Sequence, residues 1–142
     1  MDRGDISNEI PPRVLVVFDG LLGQIPDSQQ RQATVWRSLA RWKKVAGLYD
    51  IDPASRARLH DLSWRQGWRI DVVTFDNEHV AEALADRFDV MNLAVSHVYS
   101  VADPAALSAM LAYMPEVRYV VHGMAEMQMA FGPRGVFGLA AM

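Results

Sequence analysis

Two apolar runs in the sequence end in side chains whose types could do chemistry on a charged ligand. Asp19 and Gly20 follow "RVLVVF", and Thr74, Asp76 and Asn77 lie at or just beyond the end of "WRIDVVT". A carboxylate can attack an electrophile or move a proton, and hydroxyl groups can hydrogen-bond to an anion. We therefore take Asp19 as the candidate catalytic residue and Gly20, Thr74, Asp76 and Asn77 as candidate ligand-binding residues.

Each of these residues also has a purely structural explanation. Asp-Gly is a common turn dipeptide, a threonine hydroxyl can cap a turn, and Asp76 is placed to begin a helix as its N-cap. A helix N-terminus with free N–H groups can nevertheless hold an anion. The sequence alone leaves both explanations open.

The elements that must hold these side chains alternate between strands and helices. Five runs rich in β-branched and aromatic residues predict strands, the first four buried on both faces and the last one weaker; they cover residues 13–18, 68–75, 93–101, 117–121 and 135–139. Between them, apolar residues recur at helical spacing. This alternation predicts an α/β, Rossmann-like fold with a mostly parallel sheet of about five strands and helices on both faces.

Three sets of apolar residues at helical spacing, called stripes here, predict helices. Their members are Val35, Leu39, Trp42 and Ala46; Val80, Leu84 and Phe88; and Leu107, Met110, Leu111 and Met114. Asp52 and Asp103, each followed by proline, predict two N-caps, and Asp76 predicts a third. Ligands bind such sheets at the carboxyl ends of the strands, where we also expect Ser100, Asp103, His122 and Gly123.

The composition of the chain argues against several classes of protein and of binding partner. A chain of 142 residues that is 51% hydrophobic and carries a net charge of −3 is typical of one globular domain. We expect a flexible arm over residues 1–12 and a single domain over residues 13–142. The weakly acidic composition argues against a nucleic-acid partner. The lack of a signal-peptide pattern, and of any apolar run near ~18 residues, predicts no membrane partner and a cytoplasmic location.

Parts of the sequence resemble the haloacid dehalogenase-like (HAD-like) superfamily, whose members are mostly phosphatases. "VLVVFDGLL" resembles the family's first motif, a strand running into Asp-x-Asp-Gly, with Val17 at the first aspartate and Asp19 at the second. "IDVVTFDNEHVAEALADRF" is similar to the second motif, with Thr74 at its hydroxyl position. "VRYVVHGMAEMQMAFGPRG" resembles the region of the last motif. The resemblance implies a HAD-like core without a cap domain.

The resemblance also implies that parts of the family's chemistry are missing. The family's first aspartate attacks phosphorus, which valine at position 17 cannot do, while Asp19 would keep an acid/base role. The lysine that balances phosphate charge should follow the second motif, whereas Lys43 and Lys44 precede it. Of the acids that help to hold Mg²⁺ after the last strand, only Glu126 is near. Mg²⁺ is thus an implied cofactor without a full set of ligands.

Three further groups of side chains bear on ligands and partners. His79, His97 and His122 lack the dense spacing of a metal site, so we predict no site there. Arg37, Arg41 and Lys44 predict a short basic stripe that either meets phosphates or is solvated. The segment from Met124 to Met142 is rich in Met and Phe, which indicates core packing and also suits a homo-oligomer contact.

The sequence predicts a catalytically impaired HAD-like domain that binds a partner protein or a phosphorylated ligand. The first alternative is a Mg²⁺-dependent phosphohydrolase in which Asp19 and Thr74 act without the usual nucleophile. The second alternative is a structural or assembly protein. A fold does not supply a function by itself, so the site has to distinguish these alternatives.

Overall fold

The computed structural model describes residues 11–124, 127 and 130–142, so most of the predicted arm and Glu126 lie outside the described residues. The strands are β1 (Arg13–Val17), β2 (Gly23–Gln24), β3 (Asp50–Ile51), β4 (Arg69–Thr74), β5 (Val95–Ser100), β6 (Val117–His122) and β7 (Gly135–Phe137). The helices are α1 (Gln30–Ser38), α2 (Trp42–Leu48), α3 (Pro53–His60), α4 (Glu78–Val90) and α5 (Pro104–Leu111).

Five of the strands form one parallel sheet. Their order is β5-β4-β1-β6-β7, and every neighbouring pair runs parallel. All five predicted strands are present; four of them cover fewer residues than the apolar run that predicted them, and β6 extends one residue further, to His122. The short strands β2 and β3 form a separate antiparallel pair. The predicted α/β, Rossmann-like sheet of five strands is confirmed.

Strand β1 divides the hydrophobic core into two layers. Val14 and Val16 point to the layer that contains α2, α3 and α4, while Leu15 and Val17 point to the layer that contains α5. All four side chains are buried, as alternation along a strand covered on both faces requires. The predicted stripes of α4 and α5 are buried at Val80, Leu84, Phe88, Leu107, Leu111 and Met114. Helices therefore cover both faces of the sheet.

Strand β5 is not buried on both faces, contrary to the prediction from its sequence. It lies at the edge of the sheet and pairs only with β4 among the described strands. Ser96, His97 and Ser100 are exposed, and the other three residues are half-buried. An edge strand has a neighbouring strand on one side only. The apolar run 93–101 did not indicate that this strand lies at the edge of the sheet.

The predicted single stripe from Val35 to Ala46 is wrong because a break separates α1 from α2. Ala40 has φ 54°, in the left-handed region, which ends α1 before Trp42 begins α2. Val35 and Leu39 are consequently exposed by 45% and 57%, whereas Ala46 is buried. Side chains before and after the break do not share one helical face.

Two of the three predicted helix caps are confirmed. The carboxylates of Asp52 and Asp103 accept hydrogen bonds from the backbone N–H groups of the third residue along, in α3 and α5. The prediction for Asp76 is wrong, because Asn77 is the N-cap of α4 and its side chain accepts from the N–H of Val80. Across the described residues, no helix has the length and apolarity to cross a membrane.

The break at Ala40 generates a stability prediction. Ala40→Gly should raise the free energy of unfolding by about 0.5–1 kcal/mol, because glycine accepts a positive φ without the steric cost that Cβ imposes. The control Ala57→Gly, at an exposed position within α3, should lower it by a similar amount. Urea denaturation of both variants measures the difference, and a loss of stability in Ala40→Gly would contradict the prediction.

Candidate functional site

The sheet has its topological switch point between β1 and β6. From β1 the chain adds β4 and β5 on one side, and then β6 and β7 on the other. Ligands of open α/β sheets bind in the crevice at this point, outside the carboxyl ends of the strands. Asp19 follows β1 and Gly123 follows β6, so both predicted residues lie at the crevice.

The loops that follow β1 and β6 approach each other closely at two glycines. A Cβ at Gly123 would stand 2.6 Å from the carbonyl oxygen of Gly20, which is too close for any side chain. Gly20 itself has φ +83°, a conformation that favours glycine. The closeness of the loops fixes the position of the chain at Asp19.

Backbone amides of the loop after β1 donate within that loop. The N–H groups of Leu21, Leu22 and Gly23 all point to the carbonyl oxygen of Phe18, at N···O distances of 3.3, 3.0 and 3.0 Å. The N–H of Gly20 donates to the carbonyl oxygen of Gly23 at 3.1 Å. The four amides that could have cradled an anion beside Asp19 are therefore engaged.

The carboxylate of Asp19 is held by the end of β4. The hydroxyl of Thr74 lies 3.1 Å from both carboxylate oxygens, and the N–H of Phe75 donates to Oδ2 at 2.7 Å. Burial raises the pKa of Asp19 above its usual value, the two hydrogen bonds oppose that rise, and the charge of Asp76 adds to it. The structure thus brings Asp19 and Thr74 together, as the sequence predicted.

Val17 does not lie at the mouth of the crevice. It is fully buried within β1, opposite Val73 of β4, and its side chain packs in the core layer that contains α5. The carboxylate nearest to the Thr74 hydroxyl belongs to Asp19, two residues later. The position that the resemblance assigned to the attacking group is therefore an interior position of the strand.

Asp76 lies in an ion-pair network that joins three parts of the chain. Arg37 of α1 donates two hydrogen bonds to its carboxylate, at 2.5 and 2.6 Å, and the hydroxyl of Tyr49 donates a third at 2.6 Å. The Asp76 side chain is only 4% exposed. Burial alone would raise the pKa of Asp76, but the hydrogen bonds from Arg37 and Tyr49 lower it.

The network changes the interpretation of two predicted groups. Arg37 is an ion-pair partner rather than a free member of a basic stripe, and Asp76 is held by the protein rather than presented to a ligand. Tyr49 was missed entirely, because no local pattern marks it. Its role depends on the fold, which brings residue 49 to residue 76.

A cleft of about 360 Å³ opens beside Asp19. Asp19 and Asp27 contribute two carboxylates to its lining, and Arg37 and Tyr49 lie on the wall formed by the network. Arg37 is the cation among the described lining residues, and it is paired with Asp76. The cleft thus offers an anionic ligand no cation that lacks a carboxylate partner.

The three histidines lie in separate surroundings. His79 and His97 each contact a different aromatic ring, and His122 contacts the rings of Phe131 and Phe137. Within the described ranges, no group of three or more His, Asp or Glu side chains could hold a metal ion. Glu126, the acid that the resemblance placed after the last strand, lies outside these ranges.

His122 is a buried polar residue at the end of β6. Its side chain is 0% exposed, and neither ring nitrogen has a hydrogen-bond partner among the described residues. A buried polar atom without a partner costs the folded state free energy. The sequence predicted a strand-end residue here without indicating its burial.

The fold is similar to that of a solved structure, a putative beta-phosphoglucomutase from Thermotoga maritima. The TM-score is 0.53 at 13% sequence identity, over 87% of this chain and 83% of that chain. No family model and no curated protein matched the sequence. Identity this low shows the fold alone. The comparison therefore agrees with the predicted α/β, Rossmann-like fold, and the resemblance to the HAD-like superfamily stays a prediction.

The opposite pKa shifts of the two aspartates predict opposite effects of neutralising them. At pH 7, Asp19→Asn should raise the free energy of unfolding by about 1 kcal/mol, because it removes a charge that burial disfavours. Asp76→Asn should lower it by about 2 kcal/mol, because Arg37 loses its charged partner. Urea denaturation between pH 3 and 7 measures both differences.

The ionisation of Asp19 and that of Asp76 affect the pH dependence of the free energy of unfolding in opposite ways. The folded-state pKa of Asp19 is raised, so its ionisation costs stability as the pH rises from the usual value of 3.8 through the folded pKa. The folded-state pKa of Asp76 is lowered, so its contribution is present above 3.8 and is lost as the pH falls through the folded pKa. Both differences should shrink on acidification. Differences of the same sign at pH 7 would contradict this account.

The unpaired imidazole of His122 gives a third prediction. His122→Leu should raise the free energy of unfolding by about 1 kcal/mol, because it removes two buried polar atoms at little change in volume. His122→Gln keeps polar atoms in the same place and should bring no gain. Thermal and urea unfolding of the pair measure this, and a large loss of stability in His122→Leu would show that the imidazole has a stabilising partner.

Proposed function

We propose that this chain is a HAD-like domain that does not transfer phosphoryl groups and works as a binding module for a partner protein. The observation that carries the proposal is the position of the Asp19 carboxylate on the Thr74 hydroxyl and the Phe75 N–H. These are the donors that an incoming phosphoryl group would need at the end of β4. The chain's own carboxylate already occupies them.

The proposal does not depend on which aspartate of the family's pair Asp19 represents. If Asp19 is the second, the attacking group is replaced by Val17, which is buried in β1. If Asp19 is the first, as its contact with Thr74 favours, the acid/base position two residues later is Leu21. An aliphatic side chain can supply neither the nucleophile nor the proton. One of the two carboxylates is missing in both alignments.

Charge favours a partner protein over a phosphorylated ligand. A phosphate entering the cleft would meet Asp19 and Asp27 and would have to draw Arg37 away from Asp76. Arg37 donates two hydrogen bonds to that carboxylate, so the exchange would leave a nearly buried carboxylate without its charged partner. A phosphorylated ligand is therefore disfavoured at this cleft.

The surface of α1 supports contact with a protein. Gln30 and Arg37 of this helix line the cleft, while Val35 and Leu39, one helical turn apart, are exposed by 45% and 57%. Apolar side chains exposed beside a cleft suit the core of a protein interface. We therefore assign the partner-binding surface to the exposed side of α1.

The absence of phosphoryl transfer is tested by Mg²⁺-dependent hydrolysis of p-nitrophenyl phosphate. We expect wild-type protein and Asp19→Asn to give the same background rate, because Asp19 does not act as a nucleophile or an acid. Turnover by the wild type that disappears in Asp19→Asn would overturn the proposal and favour the phosphohydrolase alternative. Titration calorimetry with inorganic phosphate should give no binding, and binding would favour a phosphorylated ligand instead.

The partner surface is tested by a photo-crosslinking amino acid at Leu39 in the cells that make the protein. We expect a discrete crosslinked product from that position. The control carries the same amino acid at Tyr113, which is 88% exposed after α5. A product of the same mass and yield from both positions, or none from Leu39, would contradict the assignment to α1.

A further inference from the structure

Strand β5 presents an open backbone edge. Among the described residues, no strand pairs with its outer side. Its six residues, "VSHVYS", include no proline and no Asp, Glu, Lys or Arg. Natural proteins usually protect such an edge with charges, proline or a covering element, since unpaired N–H and C=O groups are a template for another strand. One irregularity near Ser96 interrupts the pairing with β4, and the register is regular from His97 to Ser100.

The pairing with β4 determines which backbone groups are free. The N–H of Val101 donates to the carbonyl oxygen of Thr74, and Tyr99 is opposite Val73 in the same parallel register. Backbone groups alternate in direction along a strand, so Tyr99 and Val101 direct theirs to β4. Val98 and Ser100 therefore direct their N–H and C=O groups away from the sheet.

We propose that two copies of this chain associate through β5, in antiparallel pairing about a two-fold axis at Tyr99. The axis places Val98 of each copy opposite Ser100 of the other. Each such pair exchanges two backbone hydrogen bonds, which gives four across the junction. The two Tyr99 residues face each other as a cross-strand aromatic pair, a kind of pair that stabilises antiparallel strands.

A second copy is the occupant that this edge fits best. Two-fold symmetry matches each free donor with a free acceptor of the other copy, because the same residues supply both. The strand has no acidic, lysine or arginine side chain, so an identical strand brings no such like charges into opposition. The pairing joins two five-stranded sheets into one continuous sheet. This surface is separate from α1 and from the cleft at Asp19, so the inference does not depend on the proposed function.

Proline at Val98 tests the proposal at a single backbone group. The N–H of Val98 points away from β4, so Val98→Pro removes a donor that only the second copy would use. Val98→Ala is the matched control, because it loses the same packing but keeps the N–H. Light scattering after size exclusion should give a dimer mass for the wild type and Val98→Ala, and a monomer mass for Val98→Pro. A monomeric wild type, or a dimeric Val98→Pro, would overturn the proposal.

A crosslink gives a readout that does not depend on how Val98→Pro folds. The sequence contains no cysteine, so a single introduced thiol can only join two copies. Under mild oxidation at micromolar concentration, Tyr99→Cys should form a covalent dimer much faster than Tyr113→Cys, where the thiol is at an exposed position outside the proposed junction. Equal rates at the two positions would overturn the proposed register.

Discussion

The buried carboxylate of Asp76 is the constraint on which the arrangement of the site depends. Asp76 follows β4, and its carboxylate accepts hydrogen bonds from Arg37 of α1 and from Tyr49. A nearly buried carboxylate is tolerable only when its charge is balanced and its lone pairs are satisfied. Arg37 and Tyr49 must therefore remain in place, and with them one wall of the cleft.

This constraint bears directly on Asp19. The hydroxyl of Thr74 lies between the two residues, since it accepts from the backbone N–H of Asp76 and lies within hydrogen-bond distance of the Asp19 carboxylate. The negative charge of Asp76 also disfavours ionisation of Asp19. An added phosphate dianion would bring more negative charge to a place where Arg37 is already paired. These charges are the physical basis of the proposal that the site does not transfer phosphoryl groups.

Much of the fold could be predicted from local patterns because those patterns report local physics. The runs of β-branched residues gave all five strands of the sheet, and Asp52 and Asp103 gave the starts of two helices through hydrogen bonds made within one turn. The order of the strands in the sheet, in contrast, does not follow from local patterns. The edge position of β5 follows from how the chain crosses over, and its apolar run resembles that of an interior strand.

The errors at the site have the same origin. The sequence predicted Asp76 as an N-cap because it precedes a helical stripe. The N-cap is Asn77, and the Asp76 carboxylate instead binds Arg37 and Tyr49. Those two partners lie 39 and 27 residues away in sequence. No periodicity within α4 encodes contacts at such separations. The left-handed backbone at Ala40 could not be predicted from the sequence either, because alanine has the highest helix propensity and does not indicate a helix break.

The position of Asp19 shows why a motif needs a structure to fix its register. Counting from the family pattern put the attacking group at Val17, but the strand ends one residue before Phe18 and the carboxylate beside Thr74 is that of Asp19. The close approach of Gly20 and Gly123 then leaves little room for the loop to shift. The amides of Gly20 to Gly23 donate to the carbonyl oxygens of Phe18 and Gly23, so these four N–H groups are not free to bind a phosphate. The proposal that this chain transfers no phosphoryl group therefore depends less on the presence of a carboxylate than on Arg37, the cation of the cleft among the described residues, which is paired with Asp76.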